Sequence, residues 1–264
     1  MRKSLCCLAL AAALIPFVGR IAGAQDVKPV AVPSLDWIIA TRPVPGTLTI
    51  EPLRTTHPSA PSYCSPCLFY GGDINPSAAN VNGFANENTL LVPETTVFVP
   101  FTVEATEGWE VTGLFTNNLA DGYDAIDPQQ ATWSISTGMS SGNAGAVIAS
   151  GTAPATFTAT GRNAFGLNEY TVEIELKQPG VRLAAGTYWL SVVPQCTDSG
   201  NSNCYIAQYF VSNTQDLNRY GPPEPVGKTL FHSAYFGYNY TNVCAVNADG
   251  CGAFSAGVEG IIAH

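Results

Sequence analysis

The sequence is poor in charge, poorer still in positive charge, and almost empty of histidine. Eleven Lys and Arg stand against 20 Asp and Glu. That balance excludes nucleic acid as a partner and removes any electrostatic pull toward anionic lipid. The three histidines are His57, His232 and His264. The first lies in a proline-rich stretch and the last at the C-terminus, so imidazole chemistry would have to use His232. After the first two dozen residues no apolar run approaches the roughly 20 residues that a membrane-crossing helix needs. No later segment carries a helical stripe of ten or so residues either, which argues against an α-rich fold.

What is present begins with a leader. Arg2 and Lys3 precede an apolar run over residues 5–18, and Ala22-Gly23-Ala24 supplies a small-residue cleavage pattern. Residues 1–24 therefore read as a signal peptide, and the protein is expected to be secreted or periplasmic after cleavage near Ala24. Cys6 and Cys7 lie inside the apolar run, whereas an acylated cysteine would follow it, so a lipid anchor is not expected. Without Arg2, Lys3 and Arg20 the chain keeps 8 basic and 20 acidic side chains, a formal charge of −12. The remaining 240 residues suit one large all-β domain with a core of its own.

Cys64, Cys67, Cys196, Cys204, Cys244 and Cys251 remain after cleavage. An even number in an oxidising compartment implies disulfides. The short spacings favour local bridges: Cys196 with Cys204, Cys244 with Cys251, and Cys64 with Cys67.

Residues 25–62 form a proline-rich extended arm, since Pro29, Pro33, Pro43, Pro45, Pro52, Pro58 and Pro61 interrupt any helix. Within it Trp37-Ile38-Ile39 and Thr47-Leu48-Thr49-Ile50 are apolar enough to dock as edge strands. Residues 63–264 read as a single domain with a Tyr/Gly-rich extension from about residue 213. Here period-2 patterning recurs. Val97, Val99, Phe101 and Val103 share one face. Trp109, Val111 and Gly113 share another, with Leu114 opposite. Tyr170, Val172, Ile174 and Leu176 alternate with Thr171, Glu173, Glu175 and Lys177, the pattern of a strand with a wet outer side. Further strands are predicted at 132–136, 146–150, 155–160, 187–193 and 205–211. Gly142-Asn143, Gly161-Arg162-Asn163, Pro179-Gly180 and Ala185-Gly186 supply turn signals between them. The predicted fold is all-β, an antiparallel β-sandwich of jelly-roll type.

The run from Leu183 through Gly186, Thr187, Tyr188 and Leu190 to Val192 resembles the L-x-x-G-T-Y-x-L-x-V strand of pre-peptidase C-terminal-like domains in exported bacterial proteins. Trp133-Ser134-Ile135-Ser136-Thr137-Gly138, followed by Ala149-Ser150-Gly151-Thr152, is similar to a pattern in uncharacterised exported bacterial sandwich proteins. The resemblance covers roughly residues 95–195. It implies a jelly-roll accessory module and no catalytic residues.

Several motifs invite chemistry. Gly138-Met139-Ser140-Ser141-Gly142 matches the nucleophile elbow G-x-S-x-G, but the residues after it lead into a strand rather than a helix, so a polar hairpin loop is expected. Glu173 and Glu175 share a strand face at a spacing near that of glycosidase carboxylates, yet that face should be solvated, and a general acid needs partial burial. Cys64-Ser65-Pro66-Cys67 has redox spacing without the following helix that would stabilise a thiolate, and zinc would need a second ligand pair. Asp121, Asp124 and Asp127 crowd one loop, and Asp73 with Asn75 forms another oxygen-rich turn. Both patterns suit calcium or a plain solvated loop. Trp189 falls opposite Tyr188, and Tyr235, Tyr238 and Tyr240 lie on a strand-like segment. If exposed, these rings would stack on sugars. If covered by the arm or the extension, they form a second buried layer. The function read from these features is a noncatalytic binding or surface module for polysaccharide or a cell-envelope partner. The alternative is a secreted hydrolase gathering carboxylates or His232 into a cleft.

Overall fold

A computed structural model describes residues 62–263 apart from 63, 79, 105–107, 122–128, 206, 226, 249 and 250. The segments expected to be a signal peptide and a proline-rich arm, with the arm's two candidate strands, lie up to residue 61 outside the described residues. Three bridges join Cys64 to Cys67, Cys196 to Cys204 and Cys244 to Cys251.

The described residues form an antiparallel β-sandwich. Its strands are β1 (Cys67–Tyr70), β2 (Gly83–Ala85), β3 (Asn88–Thr89), β4 (Thr95–Val103), β5 (Gly108–Asp121), β6 (Gln130–Thr137), β7 (Ala146–Ala164), β8 (Leu167–Glu175), β9 (Val181–Leu183), β10 (Gly186–Cys196), β11 (Gln208–Ser212), β12 (Leu230–Ser233), β13 (Tyr238–Asn242) and β14 (Ala256–Ala263). A four-residue helix, α1 (Val243–Val246), follows β13. Strand β5 is the spine of one layer: β8 and β9 pair along one edge, and β14 and β11 along the other. The second layer runs β6-β10-β4-β12-β13, with β3 alone pairing in parallel to the end of β10.

The layers are joined by β7. Its first half pairs with β6 through Pro154, and from Ala155 it pairs with β8. The two strands expected at 146–150 and 155–160 are therefore one long strand that changes layers. The glycine signal at Gly161 is not a turn but an irregularity in the β7/β8 register. The reversal comes at Phe165 and Gly166, both at positive φ, as a tight two-residue hairpin requires.

Between the layers lies the core expected from the alternation. Val97, Val99, Phe101 and Val103 of β4 and Leu190 and Val192 of β10 pack with Leu114, Val172, Ile174 and Val258 of the other layer. One expectation fails in β5. Leu114 is fully buried, although continuous alternation from Trp109 would turn it outward. The ladder with β14 slips by one residue, Glu259 opposing Gly113 and Gly260 opposing Val111. This bulge at Thr112 reverses the faces.

A second correction concerns β8. Val172, Ile174 and Leu176 are buried as expected, but the opposite face is wet only at Glu175 and Lys177; Glu169 and Thr171 are buried and Glu173 is half-buried. Each of the three has a side-chain partner: Arg162 and Ser212 for Glu169, Asn117 for Thr171 and Glu259 for Glu173. Thr171 Oγ1 donates to Asn117 Oδ1 at 2.7 Å, and Asn117 Nδ2 donates to Ser255 Oγ at 2.8 Å and Tyr70 Oη at 3.1 Å. Beside this network the Phe115 ring lies across its cross-strand neighbour Gly257, and a Cβ at Gly257 would overlap the ring. Phe115 is fully buried against Tyr70 and has nowhere to go. Gly257→Ala is expected to cost about 1–3 kcal/mol by overpacking, measured as a lower denaturant midpoint with an unchanged slope.

Candidate functional site

Two places bring reactive or adhesive side chains together. The first is the solvent face of the second layer. Leu230 and His232 of β12 and Phe98 of β4 alternate outward from core residues Phe231, Val97 and Val99. Pairing of β12 with β13 slips between Phe231 and Ser233, so His232 stands opposite both Asn239 and Tyr240. That bulge decides where the tyrosines point. Tyr238 turns inward and packs on Phe231. Tyr240 turns outward, its ring 4.5 Å from His232 and 5.6 Å from Phe98.

Beneath these rings lie Trp189, Met139 and Leu230, all buried. The Trp189 indole donates to the Lys228 carbonyl at 2.9 Å and is 5 % exposed. It does lie opposite Tyr188, but as the floor of the face rather than as a stacking surface. Tyr235 is 54 % exposed at the β12–β13 turn, edge-on to Phe236. The outward ring cluster therefore consists of Phe98, His232 and Tyr240, all half-buried, with Phe98 tilted 44° to Tyr240 and His232 25° to it, and with Tyr235 nearby in the chain.

Tyr240 sits at φ +46°. A bulky side chain in the left-handed region costs on the order of 1–2 kcal/mol relative to glycine. The strain is held by neighbours. Gly142 of the β6–β7 turn donates its N–H to the Tyr240 carbonyl at 3.2 Å, and the Asn242 amide donates to the Gly227 carbonyl. Burial pushes the His232 imidazole below its ordinary value, against an opposing pull from Glu94 and Asn239.

The second place is a carboxyl cluster on the outer side of the first layer. Glu259 of β14 reaches across Gly113 to Glu173 of β8, and Glu175 follows on the same face. A Cβ at Gly113 would come within 2.6 Å of Glu259 Oε2, so a larger residue there would push the Glu259 carboxyl group aside. Ser65 in the Cys64–Cys67 loop donates its N–H to Glu259 Oε1 at 2.9 Å. Burial, then the neighbouring Glu173, raise Glu259 to about 7. Burial also raises Glu173, and a side-chain hydrogen bond joins it to Glu259. A groove of about 400 Å³ opens beside them, lined by Pro154, Ala155, Thr156, Glu173 and Glu175.

The remaining sequence motifs do not converge. Ser140 is exposed in the β6–β7 turn, paired through its backbone with Asn143, and no hydrogen bond joins it to His232. Cys64 and Cys67 are bonded to each other. Asp121 closes β5, but its side chain, like Asp124 and Asp127, lies outside the described residues, so the calcium loop does too. In the other oxygen-rich turn, Asp73 is engaged by Arg162 at 2.8 Å, Tyr70 at 2.5 Å and Asn218 at 2.7 Å. Among the described residues no three His, Cys, Asp or Glu are grouped to hold a metal ion. Sequence reasoning missed Phe98 and Glu259. The outward parity of Phe98 within β4 was the signal for the first; no local signal exists for the second.

Comparison with known proteins found no matching family model, no similar curated protein and no similar solved structure.

Proposed function

We propose that the chain is an exported, noncatalytic module that binds neutral polysaccharide on the solvent face of its second layer. The observation that carries this reading is the Tyr240 ring, turned outward by a strained bulge and set against His232 and Phe98 over a buried Trp189 floor. Strain retained at a surface position is the mark of a residue kept for its side chain. Planar rings offer the apolar face of a pyranose a stacking surface. The formal charge of −9, or −12 without the leader, disfavours acidic glycans and favours neutral ones. The resemblance of residues 95–195 to accessory sandwich modules supports the same reading.

The carboxyl cluster favours a second reading, a glycoside hydrolase. A Glu259 near 7 is suited to donate a proton at neutral pH, and Glu175 lies exposed on the same face as a second carboxyl group.

One experiment separates them. The mature protein is applied to an array of plant, fungal and bacterial polysaccharides, and each bound polysaccharide is then incubated with it and assayed for new reducing ends. Binding without release is expected. Tyr240→Gly should weaken binding at least tenfold, while glycine's relief of the left-handed backbone offsets part of the packing lost with the ring. Flat signals, or binding indifferent to Tyr240, sink the proposal. Release that disappears in Glu259→Gln replaces it with the hydrolase.

A further inference from the structure

Among the described residues, the first half of β7 is bonded on one side only. Ala155 N donates to Gln129 O, which fixes the phase of the antiparallel ladder. Ala153, Gly151 and Ala149, opposite Ala131, Trp133 and Ile135, are then the residues bonded to β6. Ser150 and Thr152 alternate with them, so their N–H and C=O groups point away from β6. Strand β8 does not meet them, because its pairing with β7 begins at Ala155. The residues on this edge are largely exposed, Val147 and Ile148 at 60 % and 47 %. A register slip at Ile148 and Pro154 bound the regular stretch. No Asp, Glu, Lys or Arg occurs anywhere from Gln129 to Gly161, although charged side chains are the commonest guard on an open edge.

Alongside that edge runs a groove of about 310 Å³, floored by Trp133 and walled by Leu176, Lys177 and Val181. At Glu175 it adjoins the groove that Glu173 lines. Gly151 lies flat against the Trp133 indole, where a Cβ would come within 3.3 Å of Nε1, and this leaves the channel unobstructed beside Ser150 and Thr152. One end is thus an unpaired backbone edge, and the other holds Glu173, Glu175 and, behind them, Glu259. Lys177 is the one cation among the lining residues.

We propose that this edge binds an extended peptide segment bearing Lys or Arg, which adds a strand beside β7 and sets its cationic side chains against Glu173 and Glu175. The backbone edge selects a β-strand, because only an extended chain returns a donor and an acceptor to Ser150 and again to Thr152. The carboxylates select the charge of that strand. This surface is distinct from the aromatic face and does not depend on the polysaccharide reading.

The test uses the mature protein and nine-residue synthetic peptides of alternating Val and Thr, ended by Arg, by nothing charged, or by Glu, with binding read by fluorescence anisotropy. The Arg-ended peptides are expected to bind best and to weaken severalfold in Glu175→Gln and in high salt. Thr152→Pro removes an edge N–H that β6 does not use and should weaken binding at least tenfold. Ser150→Pro repeats that test from the neighbouring edge position, and circular dichroism confirms that each variant is folded. Binding indifferent to both prolines, equal binding of Glu-ended peptides, or no binding overturns the proposal. So does protection of the Ser150 and Thr152 amides from hydrogen exchange in the free protein. Protection that fades on dilution would assign the edge to a second copy, and protection independent of dilution would assign it to the chain's own remaining residues.

Discussion

Arg162→Met is expected to destabilise the fold by about 3–5 kcal/mol, the penalty of leaving one member of a buried ion pair alone. Glu169 is fully buried. Its Oε2 accepts from Arg162 Nε and from Thr160 Oγ1 at 3.0 Å, and its Oε1 accepts from Ser212 Oγ at 2.8 Å. Taking away the guanidinium leaves that carboxylate with two hydroxyl donors and no countercharge. Asp73, 2.8 Å from Nη1, loses its cation in the same step. Glu169→Gln should cost less, because Arg162 keeps Asp73 and is itself 21 % exposed. The double variant Arg162→Met/Glu169→Gln should recover part of the loss, so the pair is non-additive in a double-mutant cycle. Denaturant unfolding of the four proteins measures this. An Arg162→Met variant within about 1 kcal/mol of the parent would mean that water reaches Glu169 and that the network is not sealed.

This network also marks the boundary of what local sequence reveals. The apolar halves of β4, β8 and β10 were legible because a two-layer core imposes a period of two on Val97, Val99, Phe101 and Val103, on Val172 and Ile174, and on Leu190 and Val192. The outer side of β8 was not. Glu169, Thr171 and Glu173 carry the composition of a solvated face, and their burial depends on residues far along the chain, Asp73, Ser212 and Glu259 among them. Polar residues buried in mutual hydrogen bonds leave no hydropathy signal. Bulges were hidden for a related reason. At Thr112 and again at Tyr240 one extra residue exchanges the faces, and the second occurs without the glycine that would announce it. Hence Tyr238 and Tyr240, two residues apart, point to opposite sides. The candidate binding face was half visible: Tyr240 and His232 stood out singly by type, but their meeting with Phe98 depends on the register of β12 with both β4 and β13.

Stability should fall as pH rises from about 5 to about 8, and Glu224 should be a principal cause. Its side chain is buried, Oε1 accepting from Thr229 Oγ1 at 2.7 Å and Oε2 from the Phe254 N–H at 2.9 Å. Burial raises it to about 8, opposed by those two hydrogen bonds and reinforced by Asp216. Below the ordinary carboxyl value of 4.5 both the folded and the unfolded chain hold the proton, and its contribution is fully present. Between 4.5 and about 8 the folded chain keeps the proton that the unfolded chain has released. Stability then declines by up to about 1.4 kcal/mol per pH unit for one group, on the order of 5 kcal/mol over the window. Glu87, buried and likewise raised by burial, acts in the same direction, as does Glu259 over a narrower range. Glu224→Gln isolates the first share. An amide oxygen can accept from Phe254 while its NH₂ faces Thr229, whose hydroxyl rotates to accept, so the neutral side chain reproduces the bonds of the protonated acid. The variant should match the parent near pH 5 and exceed it by several kcal/mol near pH 8, read from denaturant midpoints at the two values. Parallel pH profiles for parent and variant would show that Glu224 ionises at its ordinary value and that the segment around Phe254 opens to water.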